Sequence, residues 1–381
     1  MTPGPTPVPP EVEAALSQPM VYHRGPEFKT LLRRLFARLP ELFRTAHPVV
    51  LLTASGTGAM ESAVANLLSP GDRVLVVSAG NFGERWAQLL GTYGADLVHL
   101  RVPWGETPDP EQVAVALADA GDVSVVYCTH CETSTGVVSD VRAIADAARA
   151  AGALTVVDAI SSLAAVPLEQ DAWGLDVVVS GSQKALMTPP GLSLAAVSPT
   201  ALERAGATSS PRFYLDWARA LAMQADDVTP FTPAVPLIRG LDVAVELLLR
   251  DGLEAAWERS RRLGRACREG AKAMGLELFS PDEDRSAVVT AISLPDGVDG
   301  VAISRSMRER SGVIVAGGQG ALKGRIVRVG HIGYVGLDDV TAALVALELA
   351  LAEAGAPVER GVAAGRAREA YADAGLPAGA P

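Results

Sequence analysis

Leu154-Thr155-Val156-Val157-Asp158 and Ser180-Gly181-Ser182-Gln183-Lys184 place an acid and an amine at the ends of two apolar runs. The first is a run of mostly branched aliphatic residues ending in a carboxylate, and the second follows another such run and ends in an amine. Runs of this kind, apolar without polar alternation, mark strands buried on both faces of a mainly parallel sheet. In such sheets ligands collect beyond the carboxyl ends of the strands, where Asp158 and Lys184 both stand.

Working outward, the same texture extends from Val49 to Val197, where short apolar runs alternate with Ala-rich helical stretches joined by Gly, Ser, Thr or Pro turns. Strands are expected at Val49–Thr53, Arg73–Ser78, Asp96–Arg101, Val123–Cys128, Leu154–Asp158, Asp176–Ser180 and Leu192–Val197. Helices with i, i+3, i+4 apolar spacing fall between them, such as Val141–Ala150, and Glu27–Leu42 precedes the first strand. A loop rich in Pro, Thr and Asp (Ala225–Pro236) then leads into a long helical stretch, Leu237–Met274. Beyond it, strands near Val288–Ser293, Val313–Ala316 and Arg325–Val329 and helices near Val301–Arg310 and Leu337–Ala354 read as α+β. The expected organisation is an arm over residues 1–20 without hydrophobic period, a large α/β domain over 21–236 with a seven-stranded sheet, and a small domain over 237–381. Ala370–Pro381 is expected to be a loose tail.

Composition narrows the function classes. The chain has 381 residues, 49% of them hydrophobic and 20% charged, which is an ordinary globular composition. Its formal charge of −11 argues against a nucleic-acid partner, which a basic surface would attract. No apolar run is long enough to cross a bilayer, and the first residues lack a signal peptide's basic and apolar regions. Three cysteines, Cys128, Cys131 and Cys267, make no disulfide framework, so a cytoplasmic location is expected. Cys128-Thr129-His130-Cys131 looks like half a zinc site, but a second pair to complete four ligands is missing, so no metal is expected. The four lysines are Lys29, Lys184, Lys272 and Lys323, which makes a catalytic lysine easy to look for.

Three segments carry candidate chemistry. Ala54-Ser55-Gly56-Thr57-Gly58-Ala59 joins a strand to a helix, so its N–H groups and the helix dipole face an anion such as phosphate. A dinucleotide fingerprint would need glycine at the sixth position from Gly56, where Glu61 stands, which disfavours a dehydrogenase. Asp158 at a strand end is by itself a common cap or turn residue, and Lys184 by itself could reach solvent. Together, an anion cup, an acid at one strand end and an amine at a third are what pyridoxal 5'-phosphate requires.

On these residues the chain resembles the class V aminotransferases of fold type I, in motif the alanine–glyoxylate and serine–glyoxylate (or serine–pyruvate) enzymes. The resemblance runs from Pro3-Gly4-Pro5-Thr6 to Arg328-Val329-Gly330. It implies that Lys184 is the Schiff-base lysine, that Asp158 partners the pyridinium nitrogen, and that Thr57, Gly58, Ala59 and Gln183 bind phosphate. It further implies that Thr133, in His130-Cys131-Glu132-Thr133-Ser134-Thr135-Gly136, bonds the cofactor's phenolic oxygen, and that Phe82 lies against the pyridine face. Arg328 matches the arginine that grips the substrate carboxylate, and Thr232, in Phe231-Thr232-Pro233, matches a threonine lent to the phosphate of a neighbouring subunit. A homodimer with a shared active site follows from that match. Departures from the pattern are Thr229 in place of a tyrosine, Ala59 in place of a polar residue and Phe82 in place of a tryptophan.

The resemblance implies a transaminase acting on small amino acids and 2-oxo acids, alanine or serine with glyoxylate or pyruvate first. A dicarboxylate donor, aspartate or glutamate, would need a second cation, for which Arg24 is the candidate. Two other readings stand beside these. One is a sulfur lyase or cysteine desulfurase, which usually carries histidine where Phe82 and Gln183 stand and needs a cysteine on a mobile loop. The other is a non-catalytic scaffold subunit with a vestigial site.

Overall fold

The computed structural model describes residues 1–280 and 287–373. Strands β1 (Val49–Leu52), β2 (Arg73–Ser78), β3 (Asp96–Arg101), β4 (Val125–Thr129), β7 (Leu154–Asp158), β8 (Val177–Gly181) and β9 (Ser193–Val197) form one sheet. Its order is β1-β9-β8-β7-β4-β2-β3, and the neighbours from β3 to β8 are parallel. Strand β9 alone runs against the rest, pairing antiparallel with both β8 and β1. The expected seven strands and mainly parallel sheet are therefore present.

Burial on both faces explains the unbroken apolar runs. Along β4, Val126 and Cys128 join the core under helices Pro26–Phe43 and Val141–Ala150, while Val125 and Tyr127 join that under Gly56–Leu67 and Asn81–Thr92. Helix Pro26–Phe43 shows how the stripe works: Phe28, Leu32, Leu35, Leu39 and Leu42, spaced four and three apart, are all buried.

A second sheet, antiparallel, has the order β10-β12-β11, with β10 at Val289–Ser293, β11 at Ala316–Gly317 and β12 at Ile326–Gly330. It packs with helices Leu253–Ala273 and Leu337–Glu353 around a separate core. The strand expected at Val313–Ala316 is thus displaced, reduced to Ala316–Gly317. A two-stranded hairpin, β5 (Cys131–Glu132) with β6 (Val137–Val138), leaves the end of β4.

Three further expectations differ from the structure. The stretch Leu237–Met274 is two helices, Val235–Asp251 and Leu253–Ala273, parted at Gly252, whose φ of 85° a helix cannot continue through. The arm contains a helix, Pro10–Leu16, whose Val12 is fully buried; two turns are too short to show a period. Ala370–Asp373, expected as tail, ends the helix Ala363–Asp373, and the remainder of that expected tail lies outside the described residues.

Candidate active site

The carboxyl ends of the parallel strands meet the turn after β1. There Ser55 caps helix Gly56–Leu67, its hydroxyl accepting from the Gly58 N–H at 3.3 Å and its carbonyl from the Ala59 N–H at 3.1 Å. The N–H groups of Gly56 and Thr57 have no acceptor among the described residues and stand at the positive end of the helix dipole. Of the expected phosphate cup, then, Thr57 keeps a free amide, while those of Gly58 and Ala59 are engaged by Ser55.

A cavity of about 140 Å³ opens here, with walls that include Ser55, Gly56, Thr57, Phe82, Asp158, Gln183 and Lys184. The structure therefore brings five of the sequence-derived candidates around one space. Asp158 is 4% exposed and receives the Ile160 N–H at 2.8 Å on Oδ1; its other oxygen takes no hydrogen bond from the described residues. Burial raises its pKa to about 7. Burial also lowers the pKa of Lys184, against the opposing pull of Asp158, with the charges of Arg328 and Arg85 lowering it further. The Lys184 amine donates to the Pro3 carbonyl at 3.1 Å. Gln183 Oε1 is buried without a partner, a polar atom that a ligand would satisfy.

Phe82 sits in the first turn of helix Asn81–Thr92, whose N-terminus is clamped by the β5–β6 hairpin. Glu132 Oε2 accepts from the N–H groups of Phe82 at 2.9 Å and Gly83 at 3.0 Å, and Ser134 Oγ accepts from Asn81 at 3.0 Å. Thr133, between them, is buried and accepts from Arg328 Nη1 on its carbonyl at 2.6 Å. Arg328 Nε donates to Gly317 at 2.9 Å, which leaves Nη2 without a partner among the described residues. Thr133 and Arg328 adjoin the cavity without forming its walls. Thr232 stands apart, exposed, beside Tyr214 and Phe231, and Arg24 is exposed before helix Pro26–Phe43 and does not reach the cavity.

Two residues missed in the sequence belong to this site. Arg85 lines the cavity, its Nη1 donating to Thr57 Oγ1 at 3.2 Å, and an arginine in an amphipathic helix gives no signal of that. Glu132 lies inside a segment whose threonine alone drew notice. The cysteines are buried, and burial raises the thiol pKa of Cys128 to about 12 and pushes that of Cys131 up as well. Among the described residues no three His, Cys, Asp or Glu side chains are grouped to hold a metal, and no helix is long and apolar enough to cross a membrane.

Known proteins resemble this chain over nearly its whole length. The family model described as aminotransferase class-V matches residues 5–335. The chain is 43% identical to a soluble hydrogenase small subunit of Synechococcus over 93% of each chain. It is 35% identical to L-aspartate–glyoxylate aminotransferase of Paracoccus denitrificans, covering 97% of this chain and 95% of the relative. Among solved structures, pyridoxamine–pyruvate aminotransferase of Mesorhizobium loti superposes with a TM-score of 0.93 at 33% identity, over 97% of this chain and 95% of that one. With the strand-end acid and amine and the cup beside them in place, these matches make the chain a member of the class-V aminotransferase family, on the fold type I scaffold.

Proposed function

We propose that this protein uses pyridoxal 5'-phosphate to move an amino group from a small amino acid, alanine or serine, to glyoxylate or pyruvate. One observation carries the reading: an amine and a carboxylate at neighbouring strand ends share a small cavity with a helix N-terminus whose first amides are free. The orphaned Gln183 oxygen and the unused Asp158 oxygen fit the same cofactor.

When bound, the cofactor supplies an aldehyde that takes up the amino group and a ring that draws electrons from the donor's Cα. Asp158 holds a proton at the ring nitrogen, and a cation there favours its charged form. Lys184, its pKa lowered by burial, takes the proton from the donor's Cα and delivers it to the cofactor's C4'. Arg328 holds the donor's carboxylate, Nη2 being the nitrogen not engaged by Gly317 or Thr133, and Phe82 supports the ring face. Thr57 and Gln183 line the phosphate end, Gly58 and Ala59 form the helix turn behind it, and Thr133, beside the cavity, serves the phenolic oxygen.

The reading includes a cytoplasmic homodimer, in which exposed Thr232 serves the phosphate of the second copy. It also places the cofactor on residues 21–236 and brings Arg328 from 237–381. A second reading, the scaffold subunit, is favoured by the 43% identity to a soluble hydrogenase small subunit.

The visible spectrum of the purified protein, with donors added singly and no acceptor, separates these. A cofactor band that alanine or serine bleaches and glyoxylate or pyruvate restores is expected. Replacing Lys184 with alanine should cost about 100-fold or more in turnover. Bleaching by aspartate or glutamate alone would move the donor to the dicarboxylates. Release of sulfide from cysteine would indicate the lyase, and a protein that takes up no cofactor would be the scaffold.

A further inference from the structure

Among the described residues, Arg85 is the one cation lining the cavity besides Lys184. It follows Phe82 by three positions on helix Asn81–Thr92, so the two side chains share a face. Its guanidinium carbon lies 4.8 Å from the centre of the Phe82 ring, and its Nη1 donates to Thr57 Oγ1 at 3.2 Å. The arginine thus bridges the ring-face residue and the anion cup. Among the described residues no carboxylate lies within 4.0 Å of it, whereas Arg33, Arg34, Arg73 and Arg204 each have one. A half-buried cation with no carboxylate in contact among the described residues, and only the charge of Asp158 across the cavity, is arranged beside two free amides for an anion from outside the chain.

We propose that Arg85 binds the phosphate of the cofactor and is not the second cation that a dicarboxylate donor would need. Two arguments place its anion at the phosphate end. The hydrogen bond to Thr57 ties the guanidinium to the N-terminus of helix Gly56–Leu67, where the free amides of Gly56 and Thr57 stand. The remaining cup residues, Ser55, Gly56, Thr57 and Gln183, are uncharged, and a phosphate carrying close to two negative charges is held poorly by neutral donors alone. With Arg85 engaged there, Arg328 is left for the donor's α-carboxylate, which agrees with a small donor.

This inference rests on the pyridoxal phosphate reading, and the test keeps the two apart. Full-length wild-type, Arg85→Gln and Arg85→Lys proteins, freed of cofactor, are titrated with pyridoxal 5'-phosphate and with pyridoxal, following the visible band. In wild type the phosphorylated form should bind more tightly than pyridoxal. Arg85→Gln should weaken pyridoxal 5'-phosphate by roughly 10- to 100-fold, with pyridoxal changed less than about threefold. Arg85→Lys, which keeps the charge without the planar fork, should fall between. Inorganic phosphate should compete with pyridoxal 5'-phosphate for wild type, and less for Arg85→Gln. At saturating cofactor, kcat/KM for alanine and for aspartate should change by the same factor. Equal weakening of both cofactor forms would overturn the role of Arg85 while leaving the proposed function intact. So would a loss confined to aspartate, which would make Arg85 a carboxylate-binding residue. A wild-type protein that takes up neither form would overturn both.

Discussion

Asp158 and Lys184 are displaced in opposite directions by one cause, since burial favours the neutral form of an acid and of an amine alike. For the acid the shift becomes a statement about stability. Without cofactor, folded Asp158 keeps a proton that the unfolded chain gives up near pH 4, so between about pH 4 and 7 the native state binds more protons. Stability then falls as pH rises through that window, by up to roughly 4 kcal/mol. Asp158→Asn is neutral throughout, so cofactor-free wild type should lose melting temperature relative to it from pH 5 to pH 8. Thermal denaturation checks this, and parallel curves would refute it. Cofactor should flatten the trend by giving the carboxylate a cationic partner. In the loaded enzyme the same variant should slow proton abstraction more than donor binding, as single-turnover absorbance would show. Asp158 and Lys184 were legible because an acid and an amine at strand ends occur together with a glycine-rich turn after a strand, a combination that neither residue offers alone. Arg85 was not, because its meaning lies in the absence of a partner, which only the folded chain reveals.

At the scale of elements, the site depends on how helix Asn81–Thr92 begins. Its N-cap, Gly80, has no side chain, so the first amides are satisfied across the chain by Glu132 and Ser134. The approach is close enough that a Cβ on Gly80 would lie 2.5 Å from Ser134 Oγ and 2.6 Å from the Glu132 side chain. Glu132 also accepts the Ser134 N–H at 3.1 Å and its hydroxyl, so all its capacity is used inside the clamp. Glutamine in its place turns one acceptor into a donor facing donors, costing about 1–3 kcal/mol. Glu132→Gln should lower the melting temperature and weaken cofactor binding, because Phe82 loses its fixed position; Ser134→Ala should do less. Calorimetry and cofactor titration would show it, and unchanged cofactor affinity in a destabilised variant would limit Glu132 to a structural role. Periodicity found the long strands and helices of this frame to within a few residues. It missed the β5–β6 hairpin, because two-residue strands have no period, and it ran across Gly252 because both flanking helices bury their apolar stripes.

Across the whole molecule, the two sheets are linked at the site by the arm. Thr6 donates its N–H to the Gln183 carbonyl at 3.1 Å and its hydroxyl to that of Lys184 at 2.8 Å, while Pro3 packs against Gly330 at the end of β12. The segment thus touches both the lysine loop and the strand that carries Arg328. An arm over the body was legible from its prolines, but its path past Lys184 was not, because residues 3 and 184 meet only in the folded chain. Gly4 marks how close that path is. Its φ of 143° disfavours a side chain, and a Cβ there would lie 2.5 Å from Lys184 Cδ and 2.8 Å from Nζ. Gly4→Ala must therefore move the arm or the amine. If the Pro3 carbonyl orients the amine, kcat should fall by about tenfold or more with a smaller change in KM, and the pH dependence of the visible cofactor band should shift. Strain at residue 4 alone would lower the melting temperature and leave that pH dependence where it was, because packing loss does not change the environment of the amine. Thr6→Val, which removes the hydroxyl bond but leaves the Pro3 contact, should preserve the pH profile. If both variants keep the wild-type profile and kcat, the arm is a fastening between the sheets without influence on the proton transfer.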